Sequence, residues 1–148
     1  MSTVRQLLEV KGRDIWSVSP NATVLQALRT MADKQVGALV VLDGDKLVGV
    51  LSERDYARKV ILYGKTSKDT RVNEIMSSPV VTVHPDQTVA ECMELMTNKH
   101  IRHLPVLEND ELVGVISIGD VVRDVIYSQR KKLRSFEDKM LHGRETPG

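Results

Sequence analysis

Two stretches of the chain carry apolar residues at helical spacing: Val24, Ala27, Leu28 and Met31, then Val89, Cys92, Met93 and Met96. The i, i+3, i+4, i+7 pattern predicts one buried face on each of two helices. Both helices are expected to open on a capping box, Thr23 with Gln26 and Thr88 with Glu91, which satisfies backbone N–H groups that have no partner inside the helix. Each is followed by two short apolar runs. Ala38–Leu42 and Lys46–Leu51 are parted by Asp43-Gly44-Asp45, and Leu104–Leu107 and Glu111–Ile116 by Glu108-Asn109-Asp110. Runs this short around turn residues predict hairpins of buried strands. A further helix is expected after each hairpin, from Glu53 to Leu62 and from Ile118 onward, with short helices over Val72–Met76 and Val4–Leu8.

These elements form two copies of one unit. Displacing the sequence by sixty-five residues lays Ile15–Ile61 over Val80–Ile126 without a gap, and nineteen of the forty-seven pairs are identical. V-x-P-x-x-T-V occurs at Val18–Val24 and Val83–Val89, and L-V-G-V-[LI]-S-x-x-D at Leu47–Asp55 and Leu112–Asp120. Unrelated amphipathic segments would match in apolar class, but not in Pro, Thr, Gly, Ser and Asp at the same register, so the chain is a tandem repeat. The expected fold is α+β: two βαββα repeats, packed sheet to sheet with pseudo-twofold symmetry around one continuous core. A lone unit of about 60 residues would be marginal as an independent fold. Residues 1–74 then hold the first repeat with an N-terminal helix and linker, 75–127 the second, and 128–148 a helical tail. Along that tail Ile126, Leu133, Phe136 and Met140 make one stripe, suited to packing within the chain, to a dimer contact or to partner docking. Fraying is expected from His142 onward.

Composition narrows the function. Lys and Arg total 21 against 20 Asp and Glu, a formal net charge of +1, which argues against nucleic acid or an anionic membrane as partner. Aromatic residues are 3% of the chain, too few for a base-stacking platform. The single cysteine excludes an intrachain disulfide and suits a reducing compartment, the cytoplasm of a bacterium or an organelle interior. No apolar run approaches the roughly 20 residues of a membrane span, and the first residues lack a secretory pattern. Cys92 lies on the inward helical face and is expected to be a small core hydrophobe. The histidines are not completed into a metal site by Cys or carboxylate neighbours, and Ser52 and Ser117 lack a nucleophile elbow, so no catalytic residue is expected.

What remains is the repeated Ser-x-x-Asp, Ser52–Asp55 and Ser117–Asp120, where each hairpin turns into a helix. As a capping box it would hold the helix start. As a ligand site, an acceptor-only carboxylate suits the vicinal hydroxyls of a ribose, with the serine on ribose or phosphate. The two roles are compatible.

The repeated Val-x-Pro-x-x-Thr-Val, the run Asn98–Val106 and the Gly-hydrophobic-hydrophobic-Ser-x-x-Asp closure resemble a tandem pair of CBS motifs, the unit named after cystathionine β-synthase, over about residues 4–127. The run Ser52–Val60 is similar to small stand-alone CBS-pair proteins. The resemblance implies a regulatory, non-catalytic module that binds an adenine nucleotide (AMP, ADP, ATP or NAD) between the repeats, dimerises into a disc of four motifs and alters a partner protein not identified by sequence. It implies ribose contacts for Asp55 and Asp120 and phosphate contacts for Arg102 and His103, which stand where the first repeat has Gly37 and Ala38; the alternative for these two is a solvated Arg102 and a partly buried His103 packing beside Leu104. Glu53 and Arg54 stand opposite Ile118 and Gly119, so the two clefts are expected to differ, with Arg54 a cation for either and the Asp120 cleft favoured for a phosphorylated ligand. Trp16 and Val81 are candidates for the adenine slot, Trp16 alternatively a core residue. The competing expectation is a ligand-free structural dimer module whose Ser-x-x-Asp groups are caps alone.

Overall fold

The computed structural model describes residues 2–145, with side chains described through Leu141. Its elements run α1 (Val4–Lys11), β1 (Ser17–Val18), α2 (Val24–Lys34), β2 (Ala38–Asp43), β3 (Lys46–Ser52), α3 (Glu53–Tyr56), α4 (Val72–Ile75), α5 (Val89–Lys99), β4 (His103–Glu108), β5 (Glu111–Ser117) and α6 (Ile118–Glu145). A π-type stretch, Ala57–Ile61, continues α3 and completes the predicted second helix of the first repeat. The fold is the expected mixture of two repeats, each a sheet with its helices.

In the first repeat β1 runs parallel to β2, and β2 pairs antiparallel with β3. The second repeat keeps the hairpin, β4 against β5, but the opening strand of its expected βαββα pattern is reduced to a single parallel bridge between Val83 and Val106. The Thr23 capping box is complete, whereas Thr88 accepts the Glu91 N–H without the reciprocal bond; the Glu91 carboxylate instead accepts from Gln87 Nε2 at 3.2 Å. The backbone of α6 continues helical past His142 to Glu145; residues 146–148 and the side chains from His142 lie outside the described residues, so the expected fraying is settled only as far as that backbone.

The buried residues do not form the one continuous core expected. They fall into two clusters, one per repeat. Val24, Ala27, Met31, Leu39, Val41, Leu51 and Val60 fill the first, and Val89, Cys92, Met96, Leu104, Val106, Ile116 and Val121 the second. The reason lies in the short helices, which cross over. Val4, Leu7 and Leu8 of α1 precede the first repeat yet fill the core of the second, while Val72 and Ile75 of α4 fill the core of the first. Backbone bonds seat both helices alike. Val4 N–H donates to Gln87 O and Val89 N–H to Ser2 O, as Val24 N–H donates to Thr70 O and Val72 N–H to Ala22 O, all at 2.8–2.9 Å.

The repeated glycine of L-V-G-V makes this exchange possible. A Cβ on Gly114 would stand 2.7 Å from Leu8 Cδ2, and one on Gly49 would stand 2.6 Å from Met76 Sδ. Each hairpin therefore needs a bare backbone position where the crossing segment lies on it.

Candidate functional site

Each Ser-x-x-Asp is built as a cap. Ser52 Oγ accepts the Asp55 N–H at 3.2 Å, while Asp55 Oδ2 accepts from Ser52 N–H at 2.9 Å and from its hydroxyl at 3.1 Å. Ser117 and Asp120 repeat the pattern at 3.2, 2.7 and 2.9 Å. The serine backbone at the end of an extended strand needs a partner for its N–H, and the carboxylate one helical turn on supplies it.

Beside these caps lie two clefts, each walled by both repeats. The Asp55 cleft, about 660 Å³, takes Ser52, Glu53, Arg54, Asp55, Arg58 and Lys59 from the first repeat, and Val80, Lys99–His103 and Ser117–Gly119 from the second. The Asp120 cleft, about 430 Å³, takes Ser117, Asp120 and Arg123 from the second repeat, and Lys11, Asp14, Trp16 and the segment Gln35–Val40 from the first. Gly37, Val50, His103 and Ser117 line both, so the clefts share a wall. Of the sequence-derived candidates, Ser52, Glu53, Arg54, Asp55, Arg102, Ile118 and Gly119 line the first cleft, Ala38, Trp16 and Asp120 the second, and Gly37, His103 and Ser117 both. Val81 lines neither. It packs against the second core, and its neighbour Val80 reaches the cleft instead. Trp16 is 38% exposed, with Lys34 Nζ 4.6 Å from its ring centroid, so it is not a core residue.

Charge separates the clefts. The Asp55 cleft holds five permanent cations, Arg54, Arg58, Lys59, Lys99 and Arg102, against the carboxylates Glu53 and Asp55. The fields of Arg58 and then Arg102 push the Arg54 guanidinium below its ordinary pKa, outweighing the opposite pull of Asp55. The Asp120 cleft balances Lys11 and Arg123 against Asp14 and Asp120. There the carboxylate is already taken: Lys11 Nζ lies 2.6 Å from Asp120 Oδ2 and Arg123 Nη2 2.7 Å from Oδ1. Burial raises the Asp120 pKa, but the bonds from Lys11 and from Ser117 outweigh it and hold the carboxyl below its usual range. Asp55 is less engaged, with Lys59 Nζ at 3.3 Å and the Ser77 hydroxyl at 3.4 Å from Oδ1. His103, between the clefts, is pushed down by burial, then by Lys11, and is neutral near pH 7.

Arg102 thus lines the Asp55 cleft, and the expectation that the Asp120 cleft is the better one for phosphate runs against the charge distribution. The cause is the crossed lining: the segment before a repeat's central strand faces the Ser-x-x-Asp of the other repeat. Sequence reasoning also missed Lys11, Arg58, Lys59 and Arg123. Arg123 and Lys59 sit three and four residues after the aspartates, a helical spacing that could have revealed them. Lys11 is a hundred and nine positions from Asp120 and carried no signal. No group of three or more His, Cys, Asp or Glu able to hold a metal ion occurs among the described residues, and no described helix is long and apolar enough to cross a membrane.

Comparison with known proteins agrees on the architecture. The sequence profile of the CBS domain matches twice, over residues 7–61 and 72–127. The mitochondrial CBS domain-containing protein CBSX3 of Arabidopsis thaliana is 38% identical over 143 residues, covering 90% of this chain and 69% of that protein. The solved structure of a CBS-domain protein from Burkholderia ambifaria is 51% identical, with a TM-score of 0.84 over 86% of this chain and 96% of that one. The CBS domain pair of protein MJ0100, solved in complex with 5′-methylthioadenosine and S-adenosyl-L-methionine, shares the fold at 22% identity, with a TM-score of 0.75 over 88% of this chain and 98% of that one.

Proposed function

Because the chain belongs to the CBS-domain family as a tandem pair, we propose that it is a non-catalytic regulatory module that binds an adenine nucleotide in the Asp55 cleft. The observation that carries this reading is the surplus of cations there: five against two carboxylates, around an aspartate and serine suited to a ribose. In this reading the ribose hydroxyls donate to Asp55, and the phosphates lie among Arg54, Arg58 and Arg102, guanidinium groups that can grip phosphate oxygens in pairs. Val80 and Ile101 offer apolar surface to the base. The binding of adenosine compounds by the protein MJ0100 pair supports the ligand class. The Asp120 cleft is the weaker site, since a ribose there must displace Lys11 or Arg123.

Regulation follows from the shared wall. A ligand against Arg102 and His103 changes the surroundings of Ser117, and so favours some arrangements of the two repeats, and of a homodimer, over others. A partner protein would read that difference.

The competing reading, a ligand-free dimer module, draws on one observation: both aspartates already satisfy a cap. Calorimetric titration with AMP, ATP, NAD and adenosine separates the two. The nucleotide reading expects ATP and AMP to bind, and Arg102→Ala and Asp55→Ala each to weaken binding by about tenfold or more, as loss of a charge-assisted bond does. Absence of heat or thermal shift with all four compounds would establish the structural module.

A further inference from the structure

Among the described residues, His103 is the titratable side chain that lines both clefts. The fold does not require an imidazole there. The same position of the first repeat is Ala38, and the hairpins pair alike, Ala38 with Ser52 and His103 with Ser117. Among the described residues the His103 ring takes no hydrogen bond, yet no buried side-chain nitrogen is left without a partner, so the ring nitrogens open onto the clefts. A proton gained or lost on this ring is therefore felt where a ligand sits.

The charges around it decide when it is protonated. Lys11 at the end of α1 and Arg102 just before β4 oppose a charge on the ring, while Asp120 of α6 and Asp55 of α3 favour one. Further out, the Asp55 cleft adds Arg54, Arg58, Lys59 and Lys99, with Glu53 and a second imidazole, His100. The Asp120 cleft adds Arg123 and Asp14. Cations exceed carboxylates, and burial acts in the same direction, so the ring without ligand is neutral near pH 7.

A phosphate chain bound beside Arg102 reverses that balance. We propose that an anionic nucleotide in the Asp55 cleft draws a proton from solvent onto His103, so that the module binds it more tightly as pH falls. This regulation rests on the nucleotide reading of that cleft. Its sign follows from linkage: the gain is absent above the ring's pKa in the complex, and complete below the ligand-free pKa, which burial holds under the ordinary value. The first repeat, with alanine at this place, has no such group to offer.

The test is calorimetric titration of the full chain with ATP at mildly acidic pH, in two buffers of different ionisation enthalpy, for wild type and His103→Gln. A terminal phosphate titrates near pH 6 by itself, but equally for both chains, so the difference in proton uptake belongs to His103. Wild type should take up about 0.3 proton more per ATP than the variant, and its advantage in affinity should grow about threefold from about pH 8 to about pH 6. Proton NMR reads the ring directly, its signal being the one missing from His103→Gln. ATP should raise the titration midpoint of that signal by about one pH unit, while adenosine, which has no phosphate, should leave it in place. Equal proton uptake by two chains that both bind ATP, or an unmoved midpoint with ATP bound, would overturn the proposal and leave the nucleotide reading standing. No heat with ATP would overturn both.

Discussion

Asp55 and Asp120 occupy matching places in the repeat, yet their surroundings make them different reagents. Both close a cap, and only Asp120 is clamped by two cations. Lys11→Met should therefore lower stability by about 1–3 kcal/mol near pH 7, because a buried carboxylate loses a charged donor. The Asp120 pKa is depressed in the fold, so this contribution is present above its unfolded value and fades as pH falls through the folded one. Urea unfolding of wild type and Lys11→Met should accordingly converge on acidification; a constant gap would refute the ion pair as its source. The same variant should strengthen adenosine binding at the Asp120 cleft, read by titration in an Asp55→Ala background. His103 is also depressed, below 6.5, so the fold prefers its neutral form. Stability tied to it is complete above that value and declines as pH drops below it, and His103→Gln should flatten that part of the melting profile.

At the level of elements, the crossed helices decide the architecture. Leu8 is buried against a hairpin that lies more than a hundred residues later, on a backbone kept bare at Gly114. Leu8→Ala should cost about 2–5 kcal/mol in denaturant unfolding, the usual range for a cavity in a packed core. Gly114→Val should destabilise through the opposite fault, a side chain driven into Leu8. A swap that leaves stability unchanged at either position would mean that α1 is not seated on the hairpin. Cys92, with its thiol pushed up to about 11 by burial and then by Glu91, should resist thiol reagents until the protein unfolds.

For the molecule as a whole, the two hydrophobic clusters are not two independent units, because neither is complete without a helix contributed across the repeat boundary. Unfolding should therefore be a single cooperative event. Fluorescence of Trp16, beside the first repeat, and far-ultraviolet dichroism of all helices should trace one transition in urea. Separate midpoints would show that the exchanged helices do not couple the repeats. The same interleaving joins the two clefts: their shared wall is built from Gly37 and Val50 of one repeat and His103 and Ser117 of the other.

Local periodicity was enough to specify much of this. The helical faces, the two hairpins and the duplication were legible because apolar spacing and turn chemistry act over a few residues, and a repeat announces itself by identity in register. The Ser-x-x-Asp caps were legible for the same reason, since donor and acceptor lie within one helical turn. What only the tertiary structure decided were contacts between distant segments: the crossing of α1 and α4, the division into two cores, the seating of Lys11 on Asp120 and the assignment of Arg102 to the Asp55 cleft. A pairing across a hundred residues leaves no periodic trace in a single chain, because it depends on how two similar units dock, and the same repeated motif fits either partner until that docking is known.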